Sequence, residues 1–393
     1  MPNSPKEEWP PVRMVTSVES LTTAIKEWES ADAIGIDTES NSFFAYKDRL
    51  CLVQISANGI DWIVDPIALG EGLKAINPLL ADPDLVKIFH AAEYDLMLLK
   101  DELGVETKGI FDTQVAMTLL RHQKTGLAAL LESHYGLKVS KKHQRSDWGK
   151  RPLSDSQLEY ARTDTRFLPD VRVKLMAKLE EANMTSACDG ECRRLEQEIL
   201  PPREPNMEGW RKMKQARGLT GESKARLREL FQWRERTAQD RDVPVFRVLG
   251  NDALGELARQ PARGMKELAD RKGVGWKVAK RHGDGILAAL KEAQGKVVEE
   301  NPVEKLDRAE RQKRRLYREN REALKNWRKK QASALELPSE RLMHRRHLEE
   351  IARVLPATRE DLLRTVSLND WQRENLEDSL LDLLATLPRP QSS

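Results

Sequence analysis

The chain has 393 residues, and its 66 lysines and arginines almost cancel its 63 aspartates and glutamates. This length exceeds one ordinary domain core, so we expect two or three domains. The net charge of +3 assigns no polyanionic partner by itself, so any basic surface must be local.

The cysteines and the apolar segments limit the class of protein further. Three cysteines cannot form a disulfide framework, and Cys188 with Cys192 lacks the second ligand pair of a zinc site, so we expect reduced thiols. The first residues, MPNSPKEEWPPVR, have no apolar core of a signal peptide. No later run approaches the roughly 18 apolar residues of a membrane span. We therefore expect a soluble, cytoplasmic protein with no membrane partner.

The first predicted elements are a helix and three strands. Apolar residues recur at helical spacing over 17–30, and Ser17 with Ser20 can cap the start. Residues 33–39 alternate as a strand that carries Asp37 and Glu39 on one face. Two further strands, at 50–56 and 60–64, are joined by an Asn-Gly hairpin signal. We predict an antiparallel meander with two acids on one strand.

The pattern then changes to alternating helices and strands. We predict a helix at about 72–80, a strand at 86–89, a helix at about 93–103, a strand at 109–111 and helices to about 182, which together indicate an α/β domain with a mixed sheet. Asp95 falls in the first turn of the helix after strand 86–89, a common place for functional groups. The alternative for Asp95 is an acid that complements the helix dipole.

Tyr160 and Asp164 lie within the segment SDSQLEYARTDTRFLPD at 154–170. The run of helix formers around them places the two residues four apart, on one helix face. A phenol and a carboxylate then point into the same space. The alternative interpretation is a local hydrogen bond at the edge of a core.

Three short motifs follow one another along the chain: Asp37-x-Glu39, His90-x-x-x-Tyr94-Asp95 and Tyr160-x-x-x-Asp164. This ordered set resembles the DEDD exonuclease superfamily, whose members have a ribonuclease H-like fold. It is similar to the tyrosine subclass, because position 159 is Glu where the histidine subclass needs His. The segment SDWGKRPL at 146–153, which runs into the third motif, is similar to ribonuclease D in particular. The resemblance covers about residues 14–182.

A cluster of carboxylates implies bound cations, because two such charges about 4 Å apart repel by roughly 4 kcal/mol at an effective dielectric near 20. The resemblance implies two divalent cations, Mg²⁺ or Mn²⁺, in a two-metal-ion hydrolysis. By resemblance, Asp37 would bridge both ions, Glu39 and Asp164 would complete the site that activates water, and Asp95 would hold the second ion. Tyr160, with an ordinary pKa near 10, would orient the water.

A basic loop with one aromatic residue lies at 137–151, between the third and fourth acids. Its candidate RNA contacts are Lys141, Lys142, Arg145, Trp148, Lys150 and Arg151. Such a loop fits a phosphate backbone and a stacked terminal base. The alternative is a solvated run of charges in which Trp148 fills the core. His143 has no partner at metal-ligand spacing, and we interpret Asp112 as a structural cap.

The second half of the chain contains an internal repeat. After the proline-rich segment 200–206, which indicates a domain boundary, Trp233, Pro244 and Arg247 recur 94 residues later as Trp327, Pro338 and Arg341. The duplicated modules, at about 219–296 and 304–387, resemble paired helicase-and-RNase-D C-terminal (HRDC) domains. That resemblance implies nucleic-acid binding, and the alternative role is to brace the nuclease domain.

The predicted fold class is an α/β ribonuclease H-like nuclease domain with a mixed sheet, followed by two small all-α HRDC-type domains. The predicted bounds are 1–200 for the nuclease domain with its linker, 201–298 for the first HRDC domain and 299–393 for the second. The resemblance implies a 3′-5′ exoribonuclease that releases nucleoside 5′-monophosphates from RNA with a single-stranded 3′ tail, with transfer RNA precursors as the substrate class. No obligate protein partner is evident. The alternatives are a 3′-5′ DNA exonuclease or proofreading module, and a non-catalytic RNA-binding scaffold.

Overall fold

The structure, a computed structural model, describes residues 9–140, 142–199, 201, 204–298 and 307–389. These residues fall into two compact units. The first unit comprises the described parts of 1–39, 50–201 and 306–393, and the second comprises those of 40–49 and 202–305. None of the helices in the described residues combines the length and the apolar character needed to cross a membrane.

A mixed sheet forms the centre of the first unit. Its strands are β1 Arg13–Val15, β2 Ala33–Ser40, β3 Leu50–Ala57, β4 Ile60–Val64, β5 Val86–Phe89 and β6 Ile110–Asp112. Within the described residues they lie in the order β1-β4-β3-β2-β5-β6. β3 and β4 are antiparallel, whereas β1 pairs with β4, and β5 pairs with both β2 and β6, in parallel. The central position of β2 puts its acids in the middle of the sheet.

Helices cover the sheet. They are α1 Val18–Glu29, α2 Pro66–Leu69, α3 Asn77–Ala81, α4 Glu93–Leu103, α5 Thr113–Leu119, α6 Leu127–Tyr135, α7 Asp155–Arg166, α8 Leu168–Glu181 and α9 Thr185–Gln197. Ser17 and Ser20 form the predicted cap of α1, each side chain bonding the other residue's backbone. The single helix predicted at 72–80 is wrong, because the 3₁₀ helix Gly70–Ile76 ends where α3 begins. Pro78 has no N–H with which to continue the first helix, but it suits the first turn of the next.

Two glycine positions define the sheet locally. Gly59, at φ 76°, follows Asn58, at φ 49°, and the two left-handed residues make the predicted β3–β4 hairpin. Gly35 in β2 permits a close approach of α7 and α8: a Cβ there would lie 2.8 Å from the Thr165 carbonyl oxygen and 3.1 Å from Leu168 Cβ. The end of α7 therefore packs directly on the backbone of the strand that carries Asp37.

The remaining helices form two similar sets. The first repeat has α10 Gly221–Asp240, α11 Val245–Val248, α12 Asn251–Arg259, α13 Met265–Ala269 and α14 Gly275–Glu292, and the second repeat has α15 Arg308–Ala334, α16 Ser339–Leu342, α17 Arg345–Val354, α18 Arg359–Thr365 and α19 Asp370–Thr386. Arg234 donates to the Leu249 carbonyl at 3.0 Å, and Arg328 donates to the Met343 carbonyl at 2.8 Å. These partners differ by the same 94 residues, so the predicted duplication is confirmed by an equivalent hydrogen bond.

The second repeat belongs to the same compact unit as the sheet. A Cβ at Gly190 of α9 would overlap the side chain of Asn369, the residue that caps α19. Arg341 lies 3.5 Å from the buried carboxylate of Glu191, also on α9. This repeat therefore packs on the α/β part of the chain, as the bracing alternative predicted. Cys188 and Cys192 lie buried in this core as free thiols, as does Cys51 elsewhere.

Candidate active site

Three carboxylates converge at the centre of the sheet. Asp37 and Glu39 on β2 and Asp164 on α7 each place an oxygen within 4.8 Å of the others. The two acids of β2 share a face because side chains alternate along a strand, and the close packing at Gly35 brings α7 to that face. The distant parts of the sequence that carry these acids therefore form one cluster.

Asp95 completes the group from the neighbouring strand. α4 begins four residues after β5 ends, and β5 lies parallel to β2, so Asp95 in the first turn of α4 meets β2 at its carboxyl end. Its carboxylate accepts a hydrogen bond from the Thr38 backbone N–H at 3.0 Å and another from the Thr38 hydroxyl. The fourth acid is thus fixed against the residue between Asp37 and Glu39.

The four carboxyl groups strongly disfavour one another's charge. Burial, followed by repulsion from the other three acids, holds the pKa of Asp37 well above its ordinary value. Burial, followed by repulsion from Asp164 and Asp95, raises the pKa of Glu39 to about 9. Burial and repulsion from Asp95 raise the pKa of Asp164 to about 7, and burial raises that of Asp95 to about 7. A bound divalent cation would reverse this balance, and crowded carboxylate oxygens are the ligands that Mg²⁺ and Mn²⁺ prefer. The residues present therefore fit a divalent metal centre.

The Tyr160 ring is held between two other rings. His143 lies edge-on at 5.8 Å between ring centroids, and Trp148 lies tilted at 6.0 Å. His143 is itself fixed by a 2.8 Å hydrogen bond between Nδ1 and Ser146 Oγ. Burial, followed by repulsion from Asp164 and Glu39, raises the pKa of Tyr160 above its ordinary value. The phenol therefore stays protonated and can donate a hydrogen bond.

A buried charge cluster fixes α7 to the sheet. Asp61 of β4 accepts hydrogen bonds from Arg162 at 2.7 and 3.0 Å, from Arg166 at 2.6 Å and from Ser56 at 2.7 Å. Asp61 is 2% exposed, and both guanidinium groups also lie over the Trp9 ring. Because Arg162 and Arg166 flank Asp164 in sequence, this cluster sets the position of Asp164 along the sheet.

Asp112 is a structural cap, as we interpreted it from the sequence. It is the N-cap of α5, where it accepts hydrogen bonds from Gln114 and Val115. The same carboxylate accepts hydrogen bonds from the backbone N–H groups of Ala91 and Ala92 at 3.1 and 2.8 Å. Asp112 thereby holds the turn from which α4 and Asp95 begin.

A cavity of about 280 Å³ opens onto the acids and Tyr160. Its wall includes Tyr94, whose side chain is 41% exposed. Beside it, the fully buried Gln54 donates a 3.2 Å hydrogen bond to Asp37 Oδ2. Sequence reasoning did not identify Gln54 as a site residue, although one amide within the apolar strand LCLVQISA is a signal that could have found it.

The basic loop divides into packing residues and exposed cations. Trp148 is 1% exposed, so it packs in the core and has no free face for a base. Arg151 donates hydrogen bonds to both Asp65 oxygens, at 2.6 and 2.8 Å. Its guanidinium group therefore has a structural role. Lys142, Arg145 and Lys150 are exposed, whereas Lys141 lies outside the described residues.

Comparison with known protein families gives two matches. A model described as a 3′-5′ exonuclease matches residues 12–180, and a model described as an HRDC domain matches 223–290 and 318–384. Together they cover the sheet, α1 to α7 and both helical repeats. The comparison therefore finds each of the two predicted domain types in the expected part of the chain.

Several relatives are similar over most of the chain. Ribonuclease D of Gluconacetobacter diazotrophicus is 32% identical over 298 residues, which are 75% of this chain and 75% of that protein. Ribonuclease D of Escherichia coli is 30% identical over 72% of this chain and 75% of its own length. The exosome complex exonuclease RRP6 of Saccharomyces cerevisiae is 33% identical over 64% of this chain, but this chain spans only 37% of its length.

Solved structures show the same similarity. The crystal structure of Escherichia coli RNase D, described as an exoribonuclease involved in structured RNA processing, has 26% identity and a TM-score of 0.64, covering 97% of this chain and 100% of that one. The catalytic core of RRP6 from Trypanosoma brucei also has 26% identity and a TM-score of 0.64, covering 72% of this chain and 79% of that one.

Proposed function

Because the chain belongs to the ribonuclease D family and is a 3′-5′ exoribonuclease, we propose that it shortens RNA by two-metal-ion hydrolysis at the acidic cavity. The observation that carries this proposal is the convergence of Asp37, Glu39 and Asp164 within 4.8 Å, beside a protonated Tyr160. Crowded carboxylates that are partly or fully buried have little structural value by themselves, because their mutual repulsion destabilises the fold. Such a cluster is favourable only with bound cations.

Each acid has a position that suits one role. By the family resemblance, Asp37 would contact both ions, Glu39 and Asp164 would hold the ion on the water side, and Asp95 would hold the other; all four acids line the cavity. When bound, two Mg²⁺ or Mn²⁺ ions would supply the Lewis acidity that activates water and neutralises the leaving oxygen. Gln54 and Thr38 orient the Asp37 and Asp95 carboxylates by hydrogen bonds.

Tyr160 would orient the attacking water. Its raised pKa keeps the proton on the phenol, so the hydroxyl acts as a hydrogen-bond donor and not as a general base. His143 and Trp148 restrict rotation of the ring and so fix the direction of that hydroxyl. The protein thereby pre-organises the water without removing its proton.

The RNA contacts would differ in part from those that the sequence suggests. Lys142, Arg145 and Lys150 are exposed in the basic loop and would bind phosphates, and Lys141 remains a candidate. Tyr94, exposed on the cavity wall, takes the base-stacking role instead of the buried Trp148. The second repeat is held against α9, so its first role is to brace the nuclease domain.

The substrate class would be transfer RNA precursors with 3′ extensions, processed in the cytoplasm. The bacterial ribonuclease D relatives support this proposal, and so does the similarity to the Escherichia coli enzyme, which is described as involved in structured RNA processing. The four acids alone do not distinguish ribose from deoxyribose, because they contact phosphate oxygens and water. The sugar preference must therefore be measured.

A time course on a 5′-labelled, 3′-extended transfer RNA tests the proposal. With Mg²⁺ or Mn²⁺ we expect products that shorten by one nucleotide at a time and stop near the mature 3′ end, with nucleoside 5′-monophosphates released. Chelation should abolish the reaction. Trimming that continues far into the mature sequence would contradict the maturation role, and cleavage of matched DNA at the same rate would contradict selection for RNA.

Replacement of one acid tests the metal assignment. Asp37→Asn should abolish hydrolysis while the protein still binds RNA within about threefold of wild-type affinity. Asp32→Asn is a matched control, because Asp32 is exposed directly before the same strand and its substitution removes the same charge. Hydrolysis that persists in Asp37→Asn would overturn the proposed metal site.

A further inference from the structure

The two helical repeats differ at one tryptophan. Trp276 and Trp371 occupy the same place, the second residue of α14 and of α19. Trp371 is 6% exposed and packs in the shared core of the first unit, whereas Trp276 is 64% exposed. An exposed indole forgoes most of the stabilisation that a large apolar side chain gains on burial. The first repeat therefore presents a surface that the second repeat uses for packing.

The charge around the two tryptophans has opposite sign. Residues 270–284 carry five lysines and arginines and two aspartates, a net +3 without the histidine. The equivalent residues 365–379 carry one arginine and four acids, a net −3. At the places of Lys272, Lys277, Lys280 and Arg281, the second repeat has the uncharged residues Ser367, Gln372, Asn375 and Leu376. The basic character is therefore specific to the first repeat.

Four basic side chains around Trp276 are exposed and form no ion pairs within the described residues. They are Lys272, Lys277, Lys280 and Arg281. Elsewhere exposed cations are often paired one turn away, as Arg271 is with Glu267 at 2.6 Å. Lys277 and Lys280 also lie in the first two turns of α14, at the positive end of the helix dipole, where a cation is unfavourable. Such an arrangement favours an anionic partner.

We propose that Lys272, Trp276, Lys277, Lys280 and Arg281 form a binding face for single-stranded RNA upstream of the 3′ end being trimmed. Lys280 lies one helical turn from Trp276, on the same side of α14, and Lys277 is adjacent in sequence. One exposed ring among unpaired cations matches a stacked base flanked by phosphates, the common arrangement in single-strand binding. The inference rests on the proposed function, since it assigns a second contact to the same substrate.

Binding and hydrolysis are measured separately, with the full chain. A 5′-fluorescein-labelled 20-nucleotide single-stranded RNA is titrated in EDTA by fluorescence anisotropy. Hydrolysis of a four-nucleotide RNA, chosen as a minimal substrate for the acidic cavity, is followed in Mg²⁺. If the wild-type protein does not hydrolyse the four-nucleotide RNA, the proposed function is refuted. The affinity for the 20-nucleotide RNA tests the further inference alone.

We expect Trp276→Ala to weaken binding of the 20-nucleotide RNA about fivefold or more, and Trp276→Phe to stay within about threefold of wild type. Lys277→Glu and Lys280→Glu should each weaken it about fivefold in 0.1 M salt and lower the salt slope by roughly 0.7. The matched control is Lys291→Glu, an exposed charge reversal at the far end of α14, which should stay within about twofold. Hydrolysis of the short RNA should not change.

Two results would overturn the inference. One is binding by Trp276→Ala within about twofold of wild type, and the other is an effect of Lys280→Glu no larger than that of Lys291→Glu. An equal loss of hydrolysis on the four-nucleotide RNA would overturn it too, because Trp276 would then act on the active cavity. Since Trp276 and the lysines are exposed, thermal unfolding of every variant should match wild type.

Discussion

Removal of one charge from the acidic cluster should make the metal-free protein more stable. Asp164→Asn keeps the size of the side chain and removes a carboxylate that is 9% exposed and crowded by Asp37, Glu39 and Asp95. Most buried polar substitutions destabilise a protein. Here the opposite sign follows, because the native carboxylate is held in a position that disfavours its charge until a cation binds.

The pKa of Asp164 gives the magnitude. Burial and repulsion from Asp95 raise it from 3.8 to about 7. The folded state therefore binds this proton more tightly than the unfolded state, and the unfolding free energy falls as pH rises from about 4 through 7, with no further loss above. About three pKa units correspond to an upper limit of about 4 kcal/mol. Because the protonation of the other acids changes when one charge is removed, the effect is smaller than this limit. We expect the unfolding free energy of Asp164→Asn to exceed that of the wild type by about 2 kcal/mol at pH 8.

Thermal unfolding in EDTA measures this effect. At pH 8 the midpoint temperature of unfolding of the first unit should be several degrees higher in Asp164→Asn than in the wild type. The expected scale is roughly 2–4 °C per kcal/mol for a unit of this size. At pH 4 the variant and the wild type should unfold together. Addition of Mg²⁺ should raise the unfolding temperature of the wild type, because the ion binds only the folded state, and should raise that of the variant only slightly. The difference between the two proteins should therefore disappear. Asp32→Asn, which replaces an exposed acid, should have the unfolding temperature of the wild type at both pH values.

A lower unfolding temperature of Asp164→Asn in EDTA at pH 8 would refute the reasoning. It would mean that the carboxylate is satisfied by the protein and that the cluster does not depend on cations. An equal difference at pH 4 and pH 8 would refute it as well, because the gain must come from the charged form.

Three further substitutions test the support of the site. Asp61→Asn should destabilise the protein by about 3 kcal/mol or more in denaturant unfolding, because the buried guanidinium group of Arg162 and the half-buried one of Arg166 lose their charged partner. A loss under about 1 kcal/mol would contradict that account. His143→Ala should lower kcat about tenfold at unchanged KM, but add no loss in a Tyr160→Phe background; additive losses would show that His143 does not act through Tyr160. Trp148→Ala should cost about 3–5 kcal/mol of stability and leave the salt slope of RNA binding unchanged, whereas a lower slope would restore its RNA-contact role.

Sequence periodicity predicted the parts of the fold that depend on local spacing. The alternation at 33–39, the Asn-Gly turn and the position of Asp95 after β5 depend on neighbours in sequence, so they could be inferred before any tertiary contact was known. The duplication was equally visible, because both copies keep Trp and Arg at the same offset. β1 has only three residues, too few to show alternation, and it was not predicted.

The sequence alone could not show which polar residues are buried. Trp148 and Arg151 belong to a basic segment, and only the tertiary structure reveals that one fills the core and the other binds Asp65. Nothing in the local sequence marks Asp61, although it joins two arginines that lie about 100 residues away. Which of these side chains is buried depends on packing between distant parts of the chain, and residue type and spacing do not reveal such packing.

The close approach at Gly35 bears on the ionic radius that the centre can accept. A methyl group there would meet the Thr165 carbonyl at 2.8 Å, so α7 and the neighbouring Asp164 would have to move outward by a few tenths of an ångström. Metal–oxygen distances are about 2.0–2.1 Å for Mg²⁺ and about 2.3–2.6 Å for Ca²⁺, a difference of the same size. The missing methyl group at Gly35 thus keeps Asp164 close to Asp37 and Glu39, and Gly35→Ala would move that carboxylate by a distance that matters for binding of the smaller ion.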